Sequence, residues 1–241
     1  MIMKNTFIKV LCLSALFVAM GTIAQAQFRQ SIFLNGNLPT GGFAASINES
    51  AVVPLGMENM GKAAALGFGG GYRASYRFDV GMGEVAPFLQ ADFLWNTISS
   101  KWSDEYGKMH YDSPNYFSLP VLAGVSYLYD ELWNDITLYG EFGLGADFLF
   151  ISSEGTGDGN LRFAYKPTGS FAWMIGAGAY FGRHVSAGIY YYGMGKHYID
   201  YTKKTLDNNA VAAAQDAAYT LANQRESRTV GSLMLRIGFH F

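Results

Sequence analysis

Apolar and polar residues alternate along most of the chain after residue 27, with the period of a β-strand rather than that of a helix. No apolar run in this part approaches the ~18 residues that indicate a membrane-spanning helix. The alternation predicts eight strands, near residues 30–38, 64–78, 85–97, 116–128, 136–149, 170–182, 184–196 and 229–241. Each is long enough to reach the ~9–11 residues with which a tilted strand crosses the hydrocarbon layer.

The two faces of these predicted strands differ in charge. In the segment 136–149, Phe142 and Leu144 lie on one face and Glu141 on the other. Across all eight segments the apolar face carries no charged residue, and the opposite face carries Arg73, Arg77, Asp92, Glu141, Asp147 and Arg236. A soluble barrel would turn its apolar face inward, whereas a membrane barrel turns it toward lipid.

Residue size on the two faces favours the membrane arrangement. The polar face is rich in glycine, as a narrow and crowded lumen requires, at Gly67, Gly69, Gly71, Gly143, Gly145, Gly176 and Gly178. The apolar face has large aromatic residues near the segment ends, at Trp95, Phe117, Phe148, Phe171 and Trp173 on one rim and at Phe78, Tyr127, Phe181, Phe239 and Phe241 on the other. Two aromatic belts around an aliphatic band match the two lipid–water interfaces. An arginine facing lipid near mid-membrane would cost about 2–4 kcal/mol, so we expect the six charges to face the lumen.

The predicted connections alternate in length, which is a second and independent signal. Short links fall at 79–84, 129–135 and 183, and long links fall at 39–63, 98–115, 150–169 and 197–228. Short periplasmic turns that alternate with longer extracellular loops are typical of a membrane barrel. We therefore predict an all-β fold, a single closed antiparallel transmembrane β-barrel of eight strands over residues 27–241. A further hairpin inside 39–63 would raise the count to ten, and helical spacing predicts a short helix over 207–224.

The first 26 residues read as a cleaved secretory signal peptide. Lys4 and Lys9 precede an apolar stretch, and Ala24-Gln25-Ala26 forms a small-x-small cleavage site. The one cysteine of the chain, Cys12, lies in this segment, so the mature protein is expected to have no disulfide. The sequence thus predicts an exported protein, placed in the bacterial outer membrane.

Composition removes two further classes. Charged residues make up 15% of the 241 residues, and Lys and Arg (17) nearly balance Asp and Glu (19). A disordered chain has few aromatic residues and a high net charge, whereas this chain is 16% aromatic. No segment concentrates Lys and Arg, so a nucleic-acid partner is not expected.

These features resemble the porin-like outer-membrane β-barrel proteins of Gram-negative bacteria, in particular small barrels such as OmpX and PorT. The residues that carry the resemblance are the Ala-Gln-Ala site, the strand Tyr116–Leu122, the Gly143-Leu144-Gly145 strand and the C-terminal Arg236–Phe241. The resemblance implies that Phe241, Phe239 and Ile237 form a signal read by the barrel-assembly machinery. It further implies outer-membrane lipid as a partner, and it does not define an activity.

The candidate chemistry lies in the lumen and in the loops. The six inward charges predict an ion-pair network that plugs the barrel, with a narrow selective path or a proton relay as alternatives. His110, His184, His197 and His240 are expected to be interfacial or solvated, since no serine motif accompanies them and His110 with Asp112 is too small a set for a metal. We expect no enzyme activity and no cofactor. Loop 98–115 mixes aromatic and charged residues, which fits either an extracellular ligand site or an ordinary rim loop.

The leading functional hypothesis is a plugged barrel that serves envelope structure or surface contact through its loops. A narrow porin or transporter for small solutes or hydrophobic compounds is the first alternative, and a lipid-modifying enzyme is the second.

Overall fold

The computed structural model describes residues 27–45, 64–98, 115–133, 135–152, 154–155, 161–205 and 226–241. Four predictions therefore lie wholly or largely outside the described residues: the signal peptide, the extra hairpin in 39–63, the chemistry of loop 98–115 and the helix over 207–224. Twelve strands are described: β1 (Phe28–Thr40), β2 (Ala64–Tyr76), β3 (Phe78–Asp79), β4 (Glu84–Ile98), β5 (Tyr116–Trp133), β6 (Ile136–Ile151), β7 (Glu154–Gly155), β8 (Leu161–Tyr165), β9 (Thr168–Phe181), β10 (Val185–Ile199), β11 (Tyr201–Thr205) and β12 (Glu226–His240).

Eight long strands close into one antiparallel barrel. Their order around the sheet is β2-β1-β12-β10-β9-β6-β5-β4, and β2 pairs with β4 to complete the ring. The first and last strands pair in register, with Ser31 opposite His240 and Leu34 opposite Ile237. The short β3 continues β2 and pairs with β4. The predicted closed antiparallel barrel of eight strands is confirmed, with strand ends within a few residues of those predicted.

The barrel has two unlike ends. At the turn end, short links join β3 to β4, β5 to β6 and β9 to β10, and both β1 and β12 have their chain termini there. The long links leave from the opposite end, the loop end. A small sheet of order β11-β8-β7 forms within the long links, with Tyr201 opposite Tyr165. The sequence did not predict this sheet, because strands of five residues or fewer are too short for alternation to stand out.

The two faces of the barrel strands have opposite chemistry. The outward face is apolar, as shown by Leu66 and Leu235, whose side chains are 70% and 65% exposed. The inward face holds the charges, and Glu141 and Arg236 are 5% and 3% exposed. Among the described residues, no helix is long and apolar enough to cross a membrane.

The interior is filled by side chains, and many of them are large and apolar. Buried inward-facing residues include Phe33, Phe88, Leu94, Leu122, Tyr139, Met174, Tyr190, Tyr192, Met194 and Met234. At the loop end a 3-10 turn, Gly41–Phe43, places the buried Phe43 against Tyr116 with ring centroids 4.9 Å apart. The sequence predicted an inward face of small and polar residues. That prediction was incomplete, because large apolar side chains also fill the lumen.

Candidate functional site

Arg73 and Glu141 form an ion pair across the lumen. Arg73 lies on β2 and Glu141 on β6, with β4 and β5 between them in the sheet. The Nη2 and Nη1 atoms of Arg73 donate to the two carboxylate oxygens at 2.5 and 2.6 Å. Ser126 adds a third hydrogen bond to Glu141 at 2.8 Å. Both oxygens of the buried carboxylate are therefore hydrogen-bonded, as a stable buried charge requires.

A second pair joins Arg236 of β12 to Asp92 of β4. The Nη2 of Arg236 lies 3.2 Å from Oδ1 of Asp92, and Nε donates to Asn35 at 2.9 Å. Tyr192 accepts from Arg236 at 2.7 Å and donates to Asp92 at 2.9 Å. The guanidinium also lies over the rings of Phe33 and Tyr190, 4.1 and 4.2 Å from their centroids.

Gln90 connects the two pairs into one network. Its Oε1 accepts from Nε of Arg73 at 2.8 Å, and its Nε2 donates to Asp92 at 2.5 Å. The resulting mid-lumen network consists of Arg73, Gln90, Asp92, Glu141, Tyr192 and Arg236. It holds two guanidinium groups and two carboxylates, so its formal charge is balanced, and its guanidinium groups keep their protons at physiological pH.

A separate polar cluster lies toward the loop end. Nε2 of His197 lies 3.1 Å from Oδ2 of Asp147, and both side chains are 0% exposed. The same nitrogen lies 2.9 Å from the carbonyl oxygen of Met194. Ser118 donates to Oδ1 of Asp147 at 2.6 Å. We call Ser118, Asp147 and His197 the loop-end cluster.

The loop-end cluster is less fully bonded than the mid-lumen network. Nδ1 of His197 and Oδ2 of Asp147 are buried and have no hydrogen-bond partner among the described residues, because the 3.1 Å contact of Oδ2 with Nε2 lacks hydrogen-bond geometry. An unbonded buried polar atom costs about 1–3 kcal/mol, so the loop-end cluster is less stabilising than the mid-lumen network.

The prediction that His197 and His240 are interfacial or solvated was wrong. Strict alternation places His197 outward, but β10 shifts its register against β12 between Gly193 and Lys196. Gly195 there has a φ of 72°, a conformation that glycine adopts without strain. This bulge reverses the alternation, so Lys196 is exposed and His197 is buried.

His240 is buried for a different reason, because it lies on the inward face of β12. Its Nδ1 and Nε2 lie 2.6 and 2.7 Å from the hydroxyl oxygens of Ser31 and Ser186. His184 lies exposed in the turn before β10, as expected, with Nδ1 3.1 Å from the carbonyl oxygen of His240. His110 and Asp112 lie outside the described residues.

The structure divides the six predicted lumen charges among three places. Arg73, Asp92, Glu141 and Arg236 meet in the mid-lumen network, and Asp147 belongs to the loop-end cluster. Arg77 lies near the turn end and pairs with Glu84 at 2.9 Å, where the two side chains are 19% and 31% exposed. The neutral members Gln90 and Tyr192 and the bonded neighbours Asn35 and Ser126 were missed as site residues, although their inward positions follow from the same alternation.

The residues predicted to form aromatic belts all face outward or lie partly exposed. Contacts between neighbouring strands join several of them, such as Trp95 with Phe117 at 6.4 Å and Trp173 with Tyr191 at 5.5 Å. Ile237, Phe239 and Phe241 are exposed at the C-terminus, and Phe241 pairs its backbone with Gln30 at 3.0 Å. Their recognition by the assembly machinery stays a prediction.

Neither buried histidine has the arrangement of a serine hydrolase. Ser118 donates to Asp147 rather than to His197, whereas catalysis needs the serine hydroxyl bonded to the imidazole. Both ring nitrogens of His240 contact serine hydroxyls, so neither is paired with a carboxylate. Among the described residues no group of three or more His, Cys, Asp or Glu could hold a metal ion.

No family model matches the chain, and no curated protein matches it. Solved structures do match. Ail of Yersinia pestis is 12% identical, with 90% of this chain and 100% of that chain covered and a TM-score of 0.40. The Neisserial surface protein NspA is 12% identical, with 89% and 96% covered and a TM-score of 0.44. The outer-membrane enzyme PagL is 13% identical, with 86% and 97% covered and a TM-score of 0.37.

These likenesses concern the fold alone. The closed antiparallel pairing, the apolar exterior and the charged interior are properties of this chain itself. Together they give it the architecture of the small, eight-stranded outer-membrane β-barrels.

Proposed function

We propose that this protein is a non-enzymatic, integral outer-membrane barrel whose lumen is closed by buried side chains. It acts in envelope structure or in surface contact through the loops that leave its loop end, which faces the cell exterior. In this proposal residues 1–26 are removed on export, and the C-terminal residues guide insertion by the assembly machinery. The observation that carries the proposal is the mid-lumen network, which spans the lumen from β2 to β6.

The exterior supports a location in lipid. Large apolar side chains are exposed on every one of the eight barrel strands, for example Ile32, Phe93, Phe142 and Ile189. Soluble monomers rarely expose contiguous apolar patches above a few hundred Å². An apolar surface that encircles the barrel would be unfavourable in water, whereas the acyl chains of lipids solvate it favourably.

The interior supports closure. Arg73 and Arg236 reach across the barrel to acids on other strands, and apolar side chains such as Leu122 and Met174 fill the space beside them. Opening a path for ions would require the separation of buried pairs, and removal of one partner from such a pair costs about 3–5 kcal/mol. We therefore expect no steady conductance.

Planar-bilayer recording tests closure directly. The wild-type protein should insert and show no stable open level. A double variant R73A/R236A, which removes both cations from the network, should show frequent openings. G140A is the matched control, because an added methyl group on Gly140 meets no atom within 4 Å. Stable, large openings in the wild type would contradict the proposal.

A narrow porin or transporter is the alternative that the structure itself raises, because polar side chains line the middle of the lumen. Liposome-swelling assays separate the two functions: solute uptake by the wild type that R236M changes would favour transport.

Mass spectrometry of lipid A from hosts with and without the gene tests the absence of enzyme activity, and an altered acyl or phosphate pattern would contradict it.

A further inference from the structure

A single charged side chain lies on the outward face of the described barrel wall. The bulge at Gly195 that turns His197 into the lumen also turns Lys196 outward, where its side chain is exposed. Among the side chains that the structure describes in the eight barrel strands, Lys196 is the only charged one on this face. A lysine facing lipid is costly at mid-membrane and tolerated near the interface. The height of Lys196 on the barrel therefore decides which part of a lipid it meets.

This height follows from the strand register. Gly193 of β10 lies opposite Trp173 of β9, and the indole of Trp173 packs over it, where a Cβ would otherwise lie. Lys196 lies opposite Thr229 of β12, two residues toward the loop end from Gly231, the partner of Gly193. At about 3.3 Å per residue, Lys196 lies about 7 Å along the strand beyond the level of Trp173. Because aromatic belts mark the lipid–water interface, the lysine reaches the layer of lipid headgroups.

Hydroxyl groups from three neighbouring strands lie close to this level. Thr229 of β12 is exposed directly opposite Lys196. Oγ1 of Thr40 of β1 lies 3.5 Å from the hydroxyl oxygen of Tyr191 of β10, and both side chains are on the outward face. We call Thr40, Tyr191, Lys196 and Thr229 the rim patch. An ammonium group with three hydroxyl groups is a set of donors that phosphate oxygens accept.

The positive charge of the rim patch is not offset within the described chain. No carboxylate of the described residues forms an ion pair with Lys196. Its Nζ lies 5.6 Å from the ring centroid of Tyr198, a cation–π contact that adds no formal charge. On the mid-membrane side of the patch, Leu233 and Ile189 are exposed and apolar. An anionic headgroup with an acyl chain below it would therefore match both parts of this surface.

We propose that the rim patch binds the phosphate group of an anionic lipid in the leaflet that surrounds the loop end. Lys196 supplies the opposite charge, the hydroxyl groups donate to the remaining phosphate oxygens, and an acyl chain lies along Leu233 and Ile189. The inference rests on the proposed function, since it presumes that the outward face lies in lipid. With the loop end toward the cell exterior, the phosphate belongs to a lipid of the outer leaflet.

The test is native mass spectrometry of the folded protein released from phosphatidylcholine nanodiscs that contain a small fraction of lipid A. The wild type should retain lipid A about tenfold more than lipid A whose phosphate groups have been removed. K196Q loses the charge and should retain lipid A about tenfold less than the wild type. K166Q is the matched control, because Lys166 is an exposed lysine between β8 and β9, outside the barrel strands. Its retention of lipid A should equal that of the wild type.

Salt dependence gives a second measurement that does not rest on retention by a variant alone. Raising the ionic strength from about 0.1 M to about 1 M should weaken retention of lipid A by the wild type, because salt screens an exposed charge pair. K196Q should show little change with salt. Heat-modifiable gel migration shows whether each variant is folded before it is measured.

Equal retention of lipid A by the wild type and K196Q would overturn the inference, and so would equal losses in K196Q and K166Q. Equal retention of lipid A with and without its phosphate groups would overturn it as well. None of these results affects the proposed function, provided that the wild type inserts into bilayers and shows no stable open level. Failure to insert would instead contradict the proposed function itself, so the two failures are distinguishable.

Discussion

The mid-lumen network and the loop-end cluster both bury carboxylates inside the barrel, but the partners of these carboxylates differ. Glu141 and Asp92 are matched by guanidinium groups that donate to several acceptors at once. Asp147 contacts the imidazole of His197 and the hydroxyl of Ser118. The guanidinium groups of the first region keep their charge at physiological pH.

The difference shows what each region contributes. A network in which every charged atom is bonded is rigid, and any single removal leaves an uncompensated charge. A pair with unbonded buried atoms is held less firmly. The middle of the barrel thus contributes more to stability than the loop end does.

Removal of a network cation should have the largest effect. R236M leaves Asp92 buried without its guanidinium, and we expect the free energy of unfolding to fall by about 3–5 kcal/mol. The measurement is urea-dependent unfolding of the protein in lipid vesicles, followed by tryptophan fluorescence. R77M is the control, because its pair with Glu84 is partly exposed and should contribute less than about 1 kcal/mol. Equal losses in the two variants would show that the network has no special role.

Transfer of a charge from the interior to the exterior should have the next largest effect. L235R places a cation on the outward face beside Gly36 and Ile189, and in lipid it should cost about 2–4 kcal/mol in the same unfolding assay. M82R, in an exposed turn outside the strands, should be neutral. If L235R leaves the free energy of unfolding unchanged, the outward face meets water. The mid-lumen network and the loop-end cluster would then not lie inside a membrane barrel.

The mid-lumen network could be predicted from the sequence in large part, because regular alternation fixes which side chains share the interior. Arg73, Asp92, Glu141 and Arg236 all lie away from the register shifts of their strands, and each points inward as the pattern requires. Their individual partners could not be predicted, since pairing across the lumen depends on how the sheet closes. Gln90 illustrates this limit: alternation places it inward, but only closure brings it between two arginines.

The loop-end cluster could not be predicted, because a bulge in β10 changes which of the alternating residues face the lumen. Gly193 and Gly195 are the sequence signal of that irregularity, since glycine in a strand often marks a bulge. The same chain has many strand glycines without a bulge, such as Gly145, so the signal is ambiguous. Asp147 was predicted inward and its position agrees, but its histidine partner was assigned to the surface.

Packing between the two regions gives a prediction of intermediate size. Gly145 lies on β6 between Glu141 and Asp147, and a Cβ on it would overlap the carbonyl oxygen of Val121. G145A should therefore cost about 1–3 kcal/mol in the unfolding assay, as overpacking commonly does. G140A on the same strand faces outward into open space and serves as the control. A tolerated G145A would show that the sheet relaxes easily at the boundary between the regions.

The smallest predicted effect is the difference in stability loss between variants of the two serines that donate to the buried carboxylates. S126A removes one of three hydrogen bonds to Glu141, while S118A removes the hydroxyl that helps to offset the charge of Asp147. Because Asp147 has fewer partners, S118A should cost about 1 kcal/mol more than S126A. Equal costs would mean that the bonding of the loop-end cluster is as saturated as that of the network, and its two unbonded atoms would then have no energetic consequence.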